Sequence, residues 1–124
     1  MNEGLAKTYL AGAAITKNRI VKFDSSDGTV IQGAAATDSS IGVADSLGAA
    51  AASDPVDVIL SGVAAIEYGG NVTRGALLTS DSVGRAVAAA PSAGSNNRII
   101  GIAMMSGVSG DIGRVHINPC SLQG

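Results

Sequence analysis

The chain of 124 residues contains no tryptophan, one phenylalanine and two tyrosines. Aromatic side chains bury roughly 150–250 Å² each and dominate the energetics of small cores. With only Phe23, Tyr9 and Tyr68 to draw on, the interior must be built from smaller groups. A single cysteine, Cys120, excludes an internal disulfide and a disulfide-held secreted scaffold, and is read as a free thiol. The net charge of −2 comes from ten acids and eight bases scattered singly, with no basic block. Phosphate neutralisation, the main source of nucleic-acid affinity, has little to act through, so no nucleic acid is expected as a partner. No run of about 18 apolar residues exists, so no membrane partner or membrane-spanning segment is expected either. The apolar stretch from Tyr9 to Ile15 is at the short limit for a signal peptide, and Glu3 stands where a basic leader is needed.

Catalytic equipment is equally sparse. A hydrolase or transferase usually combines a nucleophile, a base and a group orienting the base, yet His116 is the sole histidine. Its place in an alternating segment reads as an exposed or interface side chain. One His and one Cys leave a four-ligand zinc site to be completed by carboxylates, a rare combination. No phosphate-binding Gly-Lys-Ser/Thr loop is present. Asp24 and Asp27 precede Gly28 in a pattern that suits a turn better than a calcium loop. Gly107, Gly110 and Gly113 read as a flexible loop, and Asn71-Val72-Thr73 as a chance glycosylation pattern. The chain is therefore expected not to be an enzyme, and no cofactor or metal is expected.

What the sequence does contain is sheet-forming material. Ala supplies 21 residues, and Ile and Val eleven each against seven Leu; β-branched side chains suit a pleated surface better than a helix. Nine short β-rich runs, bounded by Gly, Ser, Asp and Asn, recur about every ten residues, the spacing of a sandwich or small barrel. They are Arg19 to Phe23, Thr29 to Gln32, Ile41 to Ala44, Val56 to Leu60, Val63 to Tyr68, Leu77 to Thr79, Arg85 to Ala88, Ile99 to Met104 and Arg114 to Asn118. Asp27-Gly28 predicts a hairpin turn, and Ser61-Gly62 a sharp corner or bulge. The Ala-rich stretch Leu47 to Ser53 is compatible with one or two helical turns, and Ala88 to Asn97 reads as a loop. Residues 1–14 lack periodicity and turn signals and are read as an extended N-terminal arm, followed by a single β domain over 15–124. Ile41-Gly42-Val43-Ala44 and Ile100-Gly101-Ile102-Ala103 resemble each other, but the match is short enough for chance, and no internal repeat is asserted.

An ordered set of segments resembles the capsid decoration, or cement, proteins of tailed phages. It runs through Ile20-Val21-Lys22-Phe23-Asp24, Ile41-Gly42-Val43-Ala44, Val56-Asp57-Val58-Ile59-Leu60-Ser61-Gly62, Val72 to Asp81, Gly84-Arg85-Ala86-Val87 and Ile100-Gly101-Ile102-Ala103. Gly75-Ala76 departs from the Gly-Asp common in that family. The resemblance implies an all-β fold, a small β-barrel or β-tulip, assembled as a homotrimer on the outer surface of the expanded capsid. It implies the major capsid protein as partner, residence in the virion and synthesis in the bacterial host cytoplasm. Another structural or adhesive module of a phage particle, in a fibre or tail, is the alternative. Leu5, Tyr9 and Leu10, the large side chains of the arm, are the expected capsid contacts.

Overall fold

Ten strands and no helix make up residues 5–123, the part of the chain that the computed structural model describes. In order they are β1 (Ala6–Ala11), β2 (Ile20–Phe23), β3 (Thr29–Gln32), β4 (Ser40–Ala44), β5 (Pro55–Ile59), β6 (Gly62–Glu67), β7 (Leu77–Ser80), β8 (Ala86–Ala88), β9 (Asn96–Ala103) and β10 (Ile112–Gln123). The first five close into a barrel in the order β1-β3-β2-β4-β5, with β1 parallel to β3 and antiparallel to β5. The other five form a sheet in the order β6-β10-β9-β7-β8. A parallel bridge between Tyr68, just beyond β6, and Ala86 in β8 brings the two ends of that sheet together.

The second half repeats the first. Read from β3, the barrel order is β3-β2-β4-β5-β1, and the sheet read from β8 is β8-β7-β9-β10-β6. Corresponding residues lie 56 to 59 positions apart, from Val30 to Ala86 at one limit and Val43 to Ile102 at the other. The registers match pair by pair: Tyr9 opposite Val56 becomes Ile66 opposite Gly113, and Ile20 opposite Val43 becomes Leu77 opposite Ile102. Outside the strands, the bridge between Ile15 and Ala49 recurs between Val72 and Gly107. The left-handed backbone at Asn18 and Ser53 recurs at Gly75 and Gly110, where glycine removes the steric cost. The similarity of Ile41–Ala44 to Ile100–Ala103 is therefore structural and not chance, since β4 and β9 occupy equivalent places.

Three further expectations are corrected. The stretch Ala6–Ala11 is no arm: as β1 it pairs with β5 from Ala6 opposite Ile59 to Leu10 opposite Pro55, and so supplies the tenth strand and closes the barrel. Residues 1–4 of that expected arm lie outside the described residues. Leu47 to Ser53 forms turns, without helix, because Ala49 is committed to a β-bridge with Ile15. Gly107, Gly110 and Gly113 are not a slack loop, for Gly107 pairs with Val72 and Gly113 sits within β10. The hairpin at Gly28 and the corner at Gly62 stand where the turn residues put them, the latter carrying the chain from the first unit into the second.

Each unit has its own interior. In the first, Ala11, Ile15, Val21, Val30, Ala44, Val56 and Val58 form the packed centre. In the second, Ile66, Tyr68, Leu78, Ile100, Val115 and Ile117 do so, joined by Ile20 and Val43 from the outer side of the first. β2 and β4 therefore bury both faces, Val21 and Ala44 inward and Ile20 and Val43 toward the second unit. That explains the adjacent apolar residues Ile20-Val21 and Val43-Ala44 in these strands, where alternation would place a polar neighbour. Burying an Ile or Val contributes roughly 1.5–3 kcal/mol relative to leaving it exposed, so Ile20 and Val43 alone bind the units firmly. Around them Arg19 donates to Glu67 at 3.2 Å and to the Val83 carbonyl at 2.8 Å, while Arg85 approaches the other Glu67 oxygen at 3.9 Å.

Candidate interaction surface

Most carboxylates are occupied in holding turns. Asp54 accepts from the Ala51 amide at 3.1 Å while its own amide donates to the Ala51 carbonyl at 3.2 Å. Asp111 and Val108 make the same reciprocal pair in the second unit, both bonds at 3.0 Å. Asp38 accepts from the Ala34 and Ala35 amides and from Lys22, and Asp81 from Val83 and Arg85. A side-chain oxygen that satisfies turn amides replaces the backbone partners lost where a strand ends. These acids are thereby engaged in local structure. Among the described residues no group of three or more His, Cys, Asp and Glu side chains is placed to hold a metal ion.

His116 lies exposed on the outer side of β10, opposite Val63 on one side and Ile102 on the other. Cys120 is a free, exposed thiol in the same strand. No base or nucleophile accompanies either in the hydrogen bonding of the described residues. An open groove of about 210 Å³, lined by Asp45, Leu47, Gly48, Pro55 and Asp57, lies beside β5. It is smaller than the roughly 300–1,000 Å³ of sites that enclose a small organic ligand.

The surface features that stand out are apolar. Leu5 is 61% exposed and Leu10 51%, whereas Tyr9 is half-buried against the interior of the first unit with Lys7 over its ring. The three residues chosen from the sequence thus fall on or next to β1 but do not share one face, because alternate strand residues point oppositely. Sequence reasoning missed Leu47, at 85% the most exposed large apolar side chain among the described residues, because it lies in a stretch read as compatible with helical turns. It read His116 as an exposed or interface side chain but missed the outer row that Leu77, Ile102 and Val63 form with it across four neighbouring strands of the second unit. Met104 and Ile112 extend this exposed face. Alternation in Arg114–Asn118 identified the inward Val115 and Ile117, but a single strand cannot show that its outer neighbours are apolar too.

A family model described as phage cement protein matches residues 1–117. Among solved structures, the chain is similar to the head fiber gp8.5 N base of bacteriophage phi29, with a TM-score of 0.69 and 16% sequence identity. The match covers 97% of this chain and 98% of that one, and at this identity it shows a shared fold. No protein with a curated description matches.

Proposed function

Because the chain belongs to the phage cement protein family, we propose that it binds the outer surface of a tailed-phage capsid as a homotrimer and holds neighbouring major capsid protein subunits together. The family match over residues 1–117 is the observation that carries this reading. Physical features support it: two units joined through a shared core, carboxylates committed to turns, and apolar side chains left at the surface. Such a protein works without chemistry. By binding the assembled shell and not its separated subunits, it lowers the free energy of the intact shell and opposes disruption. Three equivalent contacts per trimer multiply a weak one, since the second and third form at an effective concentration in the millimolar range.

Leu5 and Leu47 are proposed as capsid contacts, being the two most exposed large apolar side chains among the described residues. Contacts of this kind gain most when their apolar area is fully desolvated at the centre of an interface. Tyr9 and Leu10, also expected from the sequence to meet the capsid, are assigned a different neighbour below.

The test is binding of the purified full-length chain to expanded heads that lack it, followed by heating or osmotic shock. Bound protein should delay DNA release, and Leu47→Asp should weaken attachment while leaving the melting temperature unchanged. Heads that neither bind the chain nor gain resistance from it would overturn the proposal. The likeness to the base of a head fiber favours a second reading, in which the chain seats an appendage on the head. Electron microscopy of virions separates the two, a low knob at the site this chain occupies marking cement and a long projection there marking a fibre base.

A further inference from the structure

We infer that the molecule associates head to tail with further copies of itself, through a second use of the contact that joins its two units. Within the chain, the outer row Ile20, Val43 and Ile59 of the first unit packs on interior residues of the second, among them Ile66, Ile100 and Ile117. Each half of that contact occurs again, unused. The equivalents of Ile20, Val43 and Ile59 in the second unit are Leu77, Ile102 and His116, which form one cross-strand row. Their counterparts in the first unit are wholly or largely sealed, but here Leu77 and His116 are exposed and Ile102 is half-exposed.

The receiving side shows the opposite asymmetry. Ile66, Ile100 and Ile117 are 0%, 0% and 4% exposed, because the first unit covers them. Their equivalents Tyr9, Ile41 and Leu60 are only partly buried at the edge of the first unit's core. Leu10 stands at its rim, at the position equivalent to Glu67. A molecule therefore ends in an uncovered donor row on its second unit and an uncovered receiving surface on its first. Since the two units share strand order and register, the first unit of a second copy fits the donor row as the second unit fits Ile20 and Val43.

Contacts between different surfaces of identical copies are heterologous and close into a ring when the rotation allows. Ring closure at three copies, giving six similar units, rests on the homotrimer reading above; the contact itself does not. The joint between copies differs from the internal one in polarity. Arg19 and Glu67, which pair at 3.2 Å inside the chain, correspond to Ala76 and Leu10 between copies. Asn18, whose side chain donates to the Ala65 carbonyl at 3.3 Å, corresponds to Gly75 facing Thr8. The joint between copies thus lacks that ion pair, keeps His116 as a polar member of its donor row, and accounts for the exposure of Leu10.

Sedimentation of the full-length chain, without heads, tests this. Wild type should sediment as a trimer, and Leu77→Asp and Leu10→Glu should each sediment as monomers with an unchanged melting temperature. Mixing these two variants should give a one-to-one dimer and nothing larger, because each keeps one working surface. Adding Ala76→Arg to Leu10→Glu should restore the trimer by rebuilding between copies the ion pair of Arg19 with Glu67. A wild-type trimer unaffected by either substitution would overturn this contact while leaving the trimer reading intact. Dimers or filaments abolished by the substitutions would support the contact and remove the trimer reading. A wild-type monomer at every soluble concentration would overturn the inference.

Discussion

The ring of Tyr68 occupies the space that a side chain on Gly113 would need. In the first unit the equivalent positions are held by Ala11 and Val56, so a small residue on one strand faces a larger one on the other. The second unit reverses the sizes. Gly107 also lies against this ring, and the Tyr68 hydroxyl donates to the Met105 carbonyl at 2.6 Å. The largest fully buried side chain thus fits because two glycines make room for it.

Adding volume at this site should be costly, and restoring the first unit's arrangement should relieve it. Gly113→Val is expected to lose more than the roughly 1–3 kcal/mol typical of overpacking. Combined with Tyr68→Ala, which copies the Ala11 and Val56 pair, it should recover part of that loss. A double-mutant cycle from urea unfolding should give a coupling of at least about 1 kcal/mol; additive losses would mean that the two residues do not compete for space.

Burial pushes the Tyr68 phenol above its ordinary value of 10.0, against a smaller opposing effect from the Arg114 backbone. The folded state therefore keeps a proton that the unfolded chain releases. By linkage, the contribution to stability is complete below pH 10 and is lost as pH rises from there through the folded-state value. Tyr68→Phe should cost about 1 kcal/mol at neutral pH through the unpaired Met105 carbonyl. It should also flatten the alkaline fall in unfolding free energy, measured by urea titration across this range.

The strands were legible in the sequence wherever both elements of a strand signal coincide, as in Arg114–Asn118 with Val115 and Ile117 turned inward. β1 was not, because its inward Ala11 is small while Leu10 faces out, so the side-chain sizes run against the burial. The repeat stayed hidden for a related reason. Ala11 and Val56 became Tyr68 and Gly113, exchanging size across a pair, and identical residues such as Gly42 and Gly101 fall in motifs too short to stand alone. Gly42 and Gly101 are in fact under the same constraint, since a side chain on either would strike the backbone of the neighbouring strand at Ile59 or His116. The candidate surface was the least legible part, because its outer row draws one residue from each of four strands.

Asp54→Ala and Asp111→Ala should have matching effects if the two turns are equivalent. Each removes an oxygen accepting from the amide three residues earlier, at 3.1 Å and 3.0 Å. A loss of about 1 kcal/mol is expected for each, as for other side-chain caps of backbone amides. Thermal unfolding of the two variants should agree within about 0.5 kcal/mol, and the effects should add because the turns are independent.

Glu67→Gln should weaken the joint between the units more than a surface ion pair would. Glu67 meets both Arg19 and Arg85, with side chains 14–29% exposed, and removing its charge leaves the partly buried Arg19 guanidinium without a carboxylate, while Arg85 keeps Asp81 at 3.2 Å. The expected loss is about 1–3 kcal/mol, between the values for exposed and fully buried pairs. Proteolysis under native conditions should reveal it as faster cleavage near Ser61, where the chain passes from one unit to the other.

Removing residues 1–11 should unfold the first unit and not merely release a tail. β1 is hydrogen-bonded on both sides, along five residue pairs to β5 and through Leu10 and Ala11 to β3. Without it the barrel opens, the inward sides of Val30, Val56 and Val58 lose the cover of Tyr9 and Ala11, and two strand edges are bared. Bare edges of this kind pair with other chains, so the truncated protein should aggregate. The loss propagates, because Ile20 and Val43, which complete the second unit's core, are held by the barrel that β1 closes. Circular dichroism should show the β signal reduced, and the melting transition should broaden or vanish. A truncated chain that stays soluble and melts like the full-length protein would mean that β1 adds nothing to the barrel, and residues 6–11 would then be the extended arm first read from the sequence.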